Sequence, residues 1–266
     1  MKTLFTTIIL SLAVFSCFAQ KIKNDLETNN LKGNVDYVIE KRFNYFKNGK
    51  TFESDLANEI ISKYNSYGNL VTQTSYYHMP VLGDNIDTLK SIFKYDNKQR
   101  LIERDVYRKR QKTPYQKTVY VYNELKRERK SKDFFSGDNS INTDYISYKY
   151  DDEGRLIEMA IIVQRNKPLS IFRYHYDSDG NQVEEDEFHE DEDGGKMIQI
   201  TTTKSLYDKF GNKLTSKIVH DIGETETHVY NYKKYDDAGN WTIMGDSKDN
   251  GNIGEKTLRR IVYRTK

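Results

Sequence analysis

Cysteine is almost missing from this chain. Cys17 is the one residue of its kind among 266, so a mature protein cut beyond it has no thiol, no disulfide and no thiolate metal site. Such a chain holds together by burial and strand pairing. Proline is scarce too, at three residues, and there is one tryptophan, Trp241. Beyond the N-terminus no apolar run is long enough to cross a membrane as a helix, and no stretch of convincing length repeats at helical period. No Gly-x-Ser-x-Gly elbow and no phosphate loop of the Gly-x-x-x-x-Gly-Lys type occurs. Charge of one sign is missing as well: 42 basic and 40 acidic residues leave a net charge of +2, which gives no global field to recruit nucleic acid.

What is abundant is tyrosine. Twenty-one Tyr and twelve Phe accompany a charged fraction of 31% and a mean hydropathy of −0.85. That hydropathy alone points toward disorder, but tyrosine scores as polar while burying a large ring and favouring strands. Tyrosine alternating with Lys, Arg, Asp and Glu fits folded β-structure.

The first residues read as a leader. Lys2 precedes an apolar run from Leu4 to Phe18, followed at once by Gln20, Lys21 and Lys23. This is the layout of a secretory signal peptide over residues 1–19, and the run is shorter than the roughly 20 residues of a membrane span. Two endings stay open. Cys17-Phe18-Ala19 suits release before Gln20, whereas Ser16-Cys17 suits a lipoprotein signal in which the Cys17 thiol carries a lipid tether. Either way the protein is expected to be exported, to the periplasm, the cell surface or beyond.

One core recurs along the rest: Tyr, Asp or Asn, two variable residues, Gly, Asn or Arg, then often an aliphatic residue. It begins at Tyr64 with Gly68, Tyr150 with Gly154, Tyr176 with Gly180, Tyr207 with Gly211, and Tyr235 with Gly239. Tyr95 opens a copy in which Gln99 replaces the glycine, and Tyr122 opens an eroded one. The lead tyrosines are spaced 31, 27, 28, 26, 31 and 28 residues apart, room for two to three strands each. Asp or Asn starts a type I turn because its side chain accepts from backbone amides two residues on. Glycine then supplies the left-handed residue of a G1 bulge joining antiparallel strands. Gln99 in that place is expected to be strained by roughly 1 kcal/mol. In the flanks, Ile146, Tyr148 and Tyr150 share one face at period two, as do Phe172, Tyr174 and Tyr176. The lead tyrosines are thereby expected to be packing residues.

The Tyr-Asp-x-x-Gly-Asn/Arg-Leu core resembles the YD repeat of the rearrangement-hotspot family of bacterial surface proteins and toxin shells. The resemblance covers roughly residues 60 to 245. A similar lead-in stands at Leu31-Lys32-Gly33-Asn34-Val35, and an ending around Trp241 to Tyr263 looks like the closing repeat of small exported members. It implies an all-β domain over residues 20–266: a lead-in over 20–60, repeats over 60–245 and a closing repeat over 240–266. The antiparallel hairpins are expected to form one long twisted or curled sheet. It also implies an association with carbohydrate. Too few repeats are present to enclose a folded toxin.

Three further groupings are weighed. Residues 184–193 hold eight carboxylates in ten positions; a calcium site is one reading, a solvated hairpin tip the blander one. Arg108, Lys109, Arg110 and Lys112, then Lys126, Arg127, Arg129, Lys130 and Lys132, interleave with Tyr115 and Tyr122. They are read either as a partner-binding patch or as a solvent-facing strand surface. His78, His175, His189, His220 and His228 show no metal-ligand spacing. Trp241 suits a packed cap better than a sugar platform. No catalytic residue, cofactor or metal is singled out. The expected function is a non-enzymatic binding or scaffold protein whose partner is an unknown protein or glycan. The alternatives are an accessory of a toxin-shell system and a hydrolase on a β scaffold.

Overall fold

The computed structural model describes residues 23–48, 51–79, 85–136, 145–163, 167–191, 195–248 and 253–265. The leader over 1–19 and Cys17 lie outside them. One four-residue helix, α1 (Asp25–Thr28), precedes sixteen strands. The first eight are β1 (Val35–Asn48), β2 (Thr51–Tyr64), β3 (Leu70–Met79), β4 (Asn85–Tyr95), β5 (Leu101–Arg108), β6 (Gln116–Asn123), β7 (Glu128–Phe135) and β8 (Tyr145–Tyr150). Then follow β9 (Leu156–Val163), β10 (Lys167–Tyr176), β11 (Gln182–Glu190), β12 (Met197–Tyr207), β13 (Lys213–His220), β14 (Thr225–Tyr235), β15 (Trp241–Lys248) and β16 (Ile253–Tyr263).

Each strand pairs antiparallel with the next, and β1 pairs with β16, from Val35 opposite Tyr263 to Phe46 opposite Ile253. The expected open, curling sheet is therefore corrected: the architecture is a closed sixteen-stranded barrel. The physical reason is the cost of edges. An open sheet leaves two rows of unpaired backbone groups, and accumulated twist brings the first and last strands together where each can satisfy the other. The seam carries the most deeply buried apolar side chains, Val35 and Val38, with Leu26, Leu31 and Tyr64 packed against Ile261 and Tyr263.

The Tyr-Asp corners all lie at one end of the barrel. Gly68, Gly154, Gly180, Gly211 and Gly239 have φ between +77° and +85°, and Gln99 takes the same region at +62°. In the eroded copy the turn slides by one residue: the Arg127 amide donates to the Glu124 carbonyl, and Arg127 carries the positive φ of +49°. Each corner aspartate accepts twice with one oxygen. Asp151 Oδ1, for instance, receives the amides of Glu153 and Arg155 at 3.1 and 2.8 Å. Its second oxygen binds Arg155 Nε at 2.6 Å, and the second oxygens of Asp177 and Asp208 bind the side-chain amides of Asn181 and Asn212 at 2.9 Å each. This explains why Arg and Asn alternate at that position.

Strand alternation separates two faces. Outward, ion pairs follow the strand register: Lys94 with Glu103, Glu158 with both Lys149 and Arg173, and Glu184 with Lys204. Inward stand Tyr64, Tyr95, Tyr122, Tyr150, Tyr176 and Tyr207 and a belt of small hydroxyl residues, including Ser62, Ser75, Thr118, Ser131, Ser205 and Ser216, the hydroxyl residues all buried.

Candidate functional site

The lead tyrosines form a ladder around the corner end. The hydroxyls of Tyr95, Tyr122, Tyr176 and Tyr207 donate to the carbonyls of Leu70, Leu101, Leu156 and Gln182 at 2.8 to 2.9 Å. In each case the acceptor opens the return strand of the preceding corner, so every ring staples its own hairpin to the one before. Burial first of all pushes the hydroxyls of Tyr64, Tyr150 and Tyr176 up to about 12. They stay neutral donors across the physiological range.

Tyr235 leads its corner as the spacing predicts, with Asp236 and Gly239 in place, but it is not the packing residue expected there. Tyr232, not Tyr235, makes the equivalent bond, donating to Lys213 O at 2.9 Å, while Tyr235 is 40% exposed. Register shifts on either side of Lys234 move the chain out of step there. Trp241 packs on Tyr232 with ring centres 5.7 Å apart, and the Arg259 guanidinium lies 3.5 Å above the indole. Arg259 is held in turn by Glu40 at 3.6 Å.

Residues 23–34 cross the corner end as a strap. Asn24 caps α1 and donates to Tyr67 O at 3.0 Å, and the Leu26 amide donates to Gly68 O at 3.0 Å. Asp25 Oδ2 accepts from the Leu70 amide at 2.7 Å and from the Tyr95 hydroxyl at 3.0 Å. Further along, Asn30 Nδ2 donates to Phe210 O at 2.9 Å, and Lys32 exchanges bonds with the Asn240 side chain at 2.7 and 2.9 Å. The strap thus ties corners that belong to distant hairpins, across the mouth.

Beneath it lies a cavity of about 900 Å³, lined by Tyr95, Tyr122, Tyr150, Tyr176 and Tyr207 together with strap residues such as Asp25 and Asn30. That volume is typical of small-molecule sites. Three arginines also line it. Arg100 pairs with Asp96 and Glu124 at 2.7 and 2.6 Å, and Arg155 with Asp151 at 2.6 Å. Arg129 differs. It points inward from β7 between Tyr122 and Tyr148, its register partners. Its guanidinium sits 4.0 Å from the Tyr148 ring centre, 5.2 Å from Tyr120 and 6.0 Å from Tyr150. Burial works against its charge, yet the surrounding Tyr150, Tyr122 and Tyr148 outweigh burial and hold its pKa above the ordinary arginine value.

The basic run around Tyr122 is consequently no single patch. Arg129 turns into the lumen, whereas Lys130 and Lys132 turn outward over Tyr145 and Phe134. Period two in the sequence carried that split, but nothing local said which parity faces inward. The acidic run is divided in the same way. Residues 184–190 belong to strand β11 rather than to a hairpin tip, while 192–194 lie outside the described residues. Glu184 and Asp186 stand outward, Glu185 and Glu187 inward, so these carboxylates cannot converge on one calcium. Outside, the ligand atoms of His175, Glu184 and Asp186 lie within 4.8 Å of one another. Lys204 already pairs with Glu184 at 3.2 Å. His228 is gripped by Glu226 at 2.6 Å and Asp246 at 3.2 Å. His220 and His228 form no shared metal-ligating group among the described residues.

Neither a family model nor a curated protein matches the chain. Among solved structures it is similar to a porin-like protein from Bacteroides uniformis, at 14% identity and a TM-score of 0.54, over 87% of this chain and 99% of that one. It also matches a LolA superfamily protein from Nitrosomonas europaea, at 9% identity and a TM-score of 0.32, over 91% of this chain and 92% of that one. A third match is an outer membrane lipoprotein-sorting protein domain from Vibrio parahaemolyticus, at 12% identity and a TM-score of 0.27, over 87% of each chain. The first shares the fold. The other two superpose too loosely to carry an argument. Among the described residues no helix is long and apolar enough to cross a membrane.

Proposed function

We propose that this chain is an exported, non-enzymatic binding protein of the YD-repeat type, a water-surrounded barrel that receives a small ligand in its lumen beneath the strap. The carrying observation is the cavity of about 900 Å³ ringed by five tyrosines from separate hairpins. Tyrosine rings offer flat apolar faces for stacking, and the polar groups between them offer hydrogen bonds. Together these suit a saccharide of a few rings, in keeping with the resemblance to carbohydrate-associated repeats. The leader-like first residues support export, and Cys17 remains a candidate lipid anchor.

The outer surface supports water rather than lipid around the wall. Exposed Lys94, Lys149, Arg173 and Lys204 stand on outward strand faces. A lipid-facing band excludes such residues, at about 2–4 kcal/mol each near the bilayer centre. The porin-like neighbour therefore bears on the fold and not on passage through a membrane. The toxin-shell reading draws no support from this cavity, since about 900 Å³ has no room for a folded chain.

The test is calorimetric titration of the mature protein with a panel of neutral and acidic oligosaccharides. Saturable binding of at least one member with a stoichiometry of one is expected. No heat and no thermal stabilisation with any member would overturn the reading.

A further inference from the structure

Two arginines of the lumen have no ion-pair partner among the described residues. On β6, Thr118, Tyr120 and Tyr122 succeed one another on the inner face; Arg104 from β5 lies opposite Thr118, and Arg129 from β7 lies opposite Tyr122. The two guanidinium groups therefore flank Tyr120 from both sides, and both bear on its hydroxyl. Each has a buried Nε without a hydrogen-bond partner. Neither belongs to an ion pair among the described residues, in contrast to Arg100, Arg155 and Arg259, which all have carboxylate partners. Asp133 stands on the same wall and accepts from Thr118 Oγ at 2.5 Å; it keeps its charge but forms no ion pair with either guanidinium among the described residues.

An unneutralised buried guanidinium is costly, and a fold built only for stability has no use for it. Aromatic faces offset part of that cost, as the Tyr148, Tyr120 and Tyr150 rings do for Arg129. They leave the Nε–H of each without a partner, although Arg129 also bonds the Tyr122 hydroxyl, and such a guanidinium edge suits the paired oxygens of an oxyanion. Four strands further round, the inner face of β11 presents Glu185 and Glu187, and Glu185 raises the hydroxyls of Tyr174 and Tyr176 behind the larger effect of burial. A polyanion filling the cavity would meet the carboxylates that line it, Asp25, Asp179 and Asp208 among them. A ligand with a single anionic group would not.

We propose that Arg129, with Arg104 behind it, anchors the one anionic group of an acidic saccharide whose ring stacks on the lumenal tyrosines. The carboxylate of a uronic acid is the form the paired N–H geometry fits, and sulfate or phosphate esters share the same chemistry. This rests on the lumen being the binding site. Arg129 lines the cavity, while Arg104 stands one step further from the mouth on the same face.

The experiment titrates the mature protein and its Arg129→Met and Arg129→Lys variants with a uronate-containing disaccharide. Parallel arms use the carboxyl-reduced neutral disaccharide, the sulfated and phosphorylated disaccharides, and inorganic phosphate alone. Wild-type protein is expected to bind the uronate form at least tenfold more tightly than the neutral form. Arg129→Met should abolish that preference, bringing the uronate and neutral affinities together, and Arg129→Lys should restore part of it. The ester arms rank the oxyanions, and phosphate alone should bind weakly because it has no ring to stack. Equal affinity of wild-type protein for charged and neutral sugars, or an unchanged preference in Arg129→Met, overturns the anchor while leaving the lumenal site standing. Absence of binding in every arm overturns both. The melting temperature of Arg129→Met guards against a folding artefact. It should equal or exceed that of wild type, since an unneutralised buried charge has been replaced by an apolar side chain of similar reach. A fall of many degrees would make Arg129 a structural residue and sink the proposal.

Discussion

A corner of this barrel is decided by two residues acting on backbone amides. Asp96 accepts the amides of Lys98 and Arg100 with one oxygen at 2.9 Å each, and the residue after the second variable position must take positive φ. Five corners use glycine there, and the second uses Gln99 at φ +62°. Replacing it, Gln99→Gly, is expected to stabilise the protein by up to about 1 kcal/mol through relief of left-handed strain. A small loss of the 3.2 Å bond from Asn69 Nδ2 opposes the gain. The reverse experiment is cleanest at Gly223, in the β13–β14 turn at the opposite end of the barrel, whose φ is +85° and whose added Cβ would meet nothing within 4 Å. Gly223→Ala should cost about 1 kcal/mol from backbone conformation alone. Urea midpoints at unchanged slope measure both; a stabilised Gly223→Ala would refute the cost assigned to positive φ. Such corners were legible in the sequence because every participant lies within six residues. The direction of Arg129 was not, because a basic run looks alike whichever parity turns inward. What sets parity is the neighbouring tyrosine ladder, a contact between hairpins.

At the scale of the hairpin and the strap, order comes from side chains that reach the next element. The Tyr176 hydroxyl donates to Leu156 O at 2.8 Å across the hairpin boundary. Tyr176→Phe keeps the ring and strands that carbonyl, which should cost about 1 kcal/mol and speed amide exchange at the corner preceding it. Tyr232 and Tyr235 separate geometry from spacing. Spacing points to Tyr235, but Tyr232 holds the bond to Lys213 O, so Tyr232→Phe should lower the melting temperature and Tyr235→Phe should leave it within error. Equal effects would show that the ladder is not a source of stability. The strap is tested through Gly68, whose added Cβ would fall 2.8 Å from Asn24 Nδ2. Gly68→Ala should dislodge the cap of α1, raising hydrogen exchange over residues 24–31 beyond the cost of the corner itself and quickening ligand entry. The lead-in at Leu31 to Val35 was visible as a partial repeat, but its path across the mouth was not. Its partners, Tyr67, Phe210 and Asn240, are carried there by separate hairpins.

For the whole molecule the decisive step is closure, and closure is what makes the tyrosines an interior. An open ribbon would leave one face of every lead ring wet. The barrel instead buries Tyr64 and Tyr150 to 5% and 9% exposure. Burial is the leading cause that pushes the hydroxyls of Tyr64, Tyr150, Tyr176 and Tyr232 from 10.0 to about 12, and Tyr95 and Tyr174 are raised further still. A phenol whose folded pKa lies above its unfolded value binds more protons when folded. Its stabilising contribution is therefore complete below pH 10 and is lost as pH rises through the folded value. For Tyr64 and Tyr150 that amounts to about 2–3 kcal/mol each. The barrel should accordingly hold to about pH 10 and unfold cooperatively between there and about pH 12. Tyrosinate absorbance from the buried rings should appear together with loss of the β-sheet circular dichroism signal. A ribbon with wet rings would behave otherwise, titrating smoothly near pH 10 while its sheet persisted. The acid limb has the opposite sign. Asp177 is held below its ordinary value first by the Asn181 side chain and then by backbone amides, so its contribution is present above the unfolded carboxylate range and fades as pH falls through the folded one. Because the corners of Asp96, Asp151, Asp177 and Asp208 hold a lowered carboxylate and their hairpins a raised tyrosine, the two limbs report on the same array from opposite ends of the pH scale. A closed barrel must lose all its hairpins together on both.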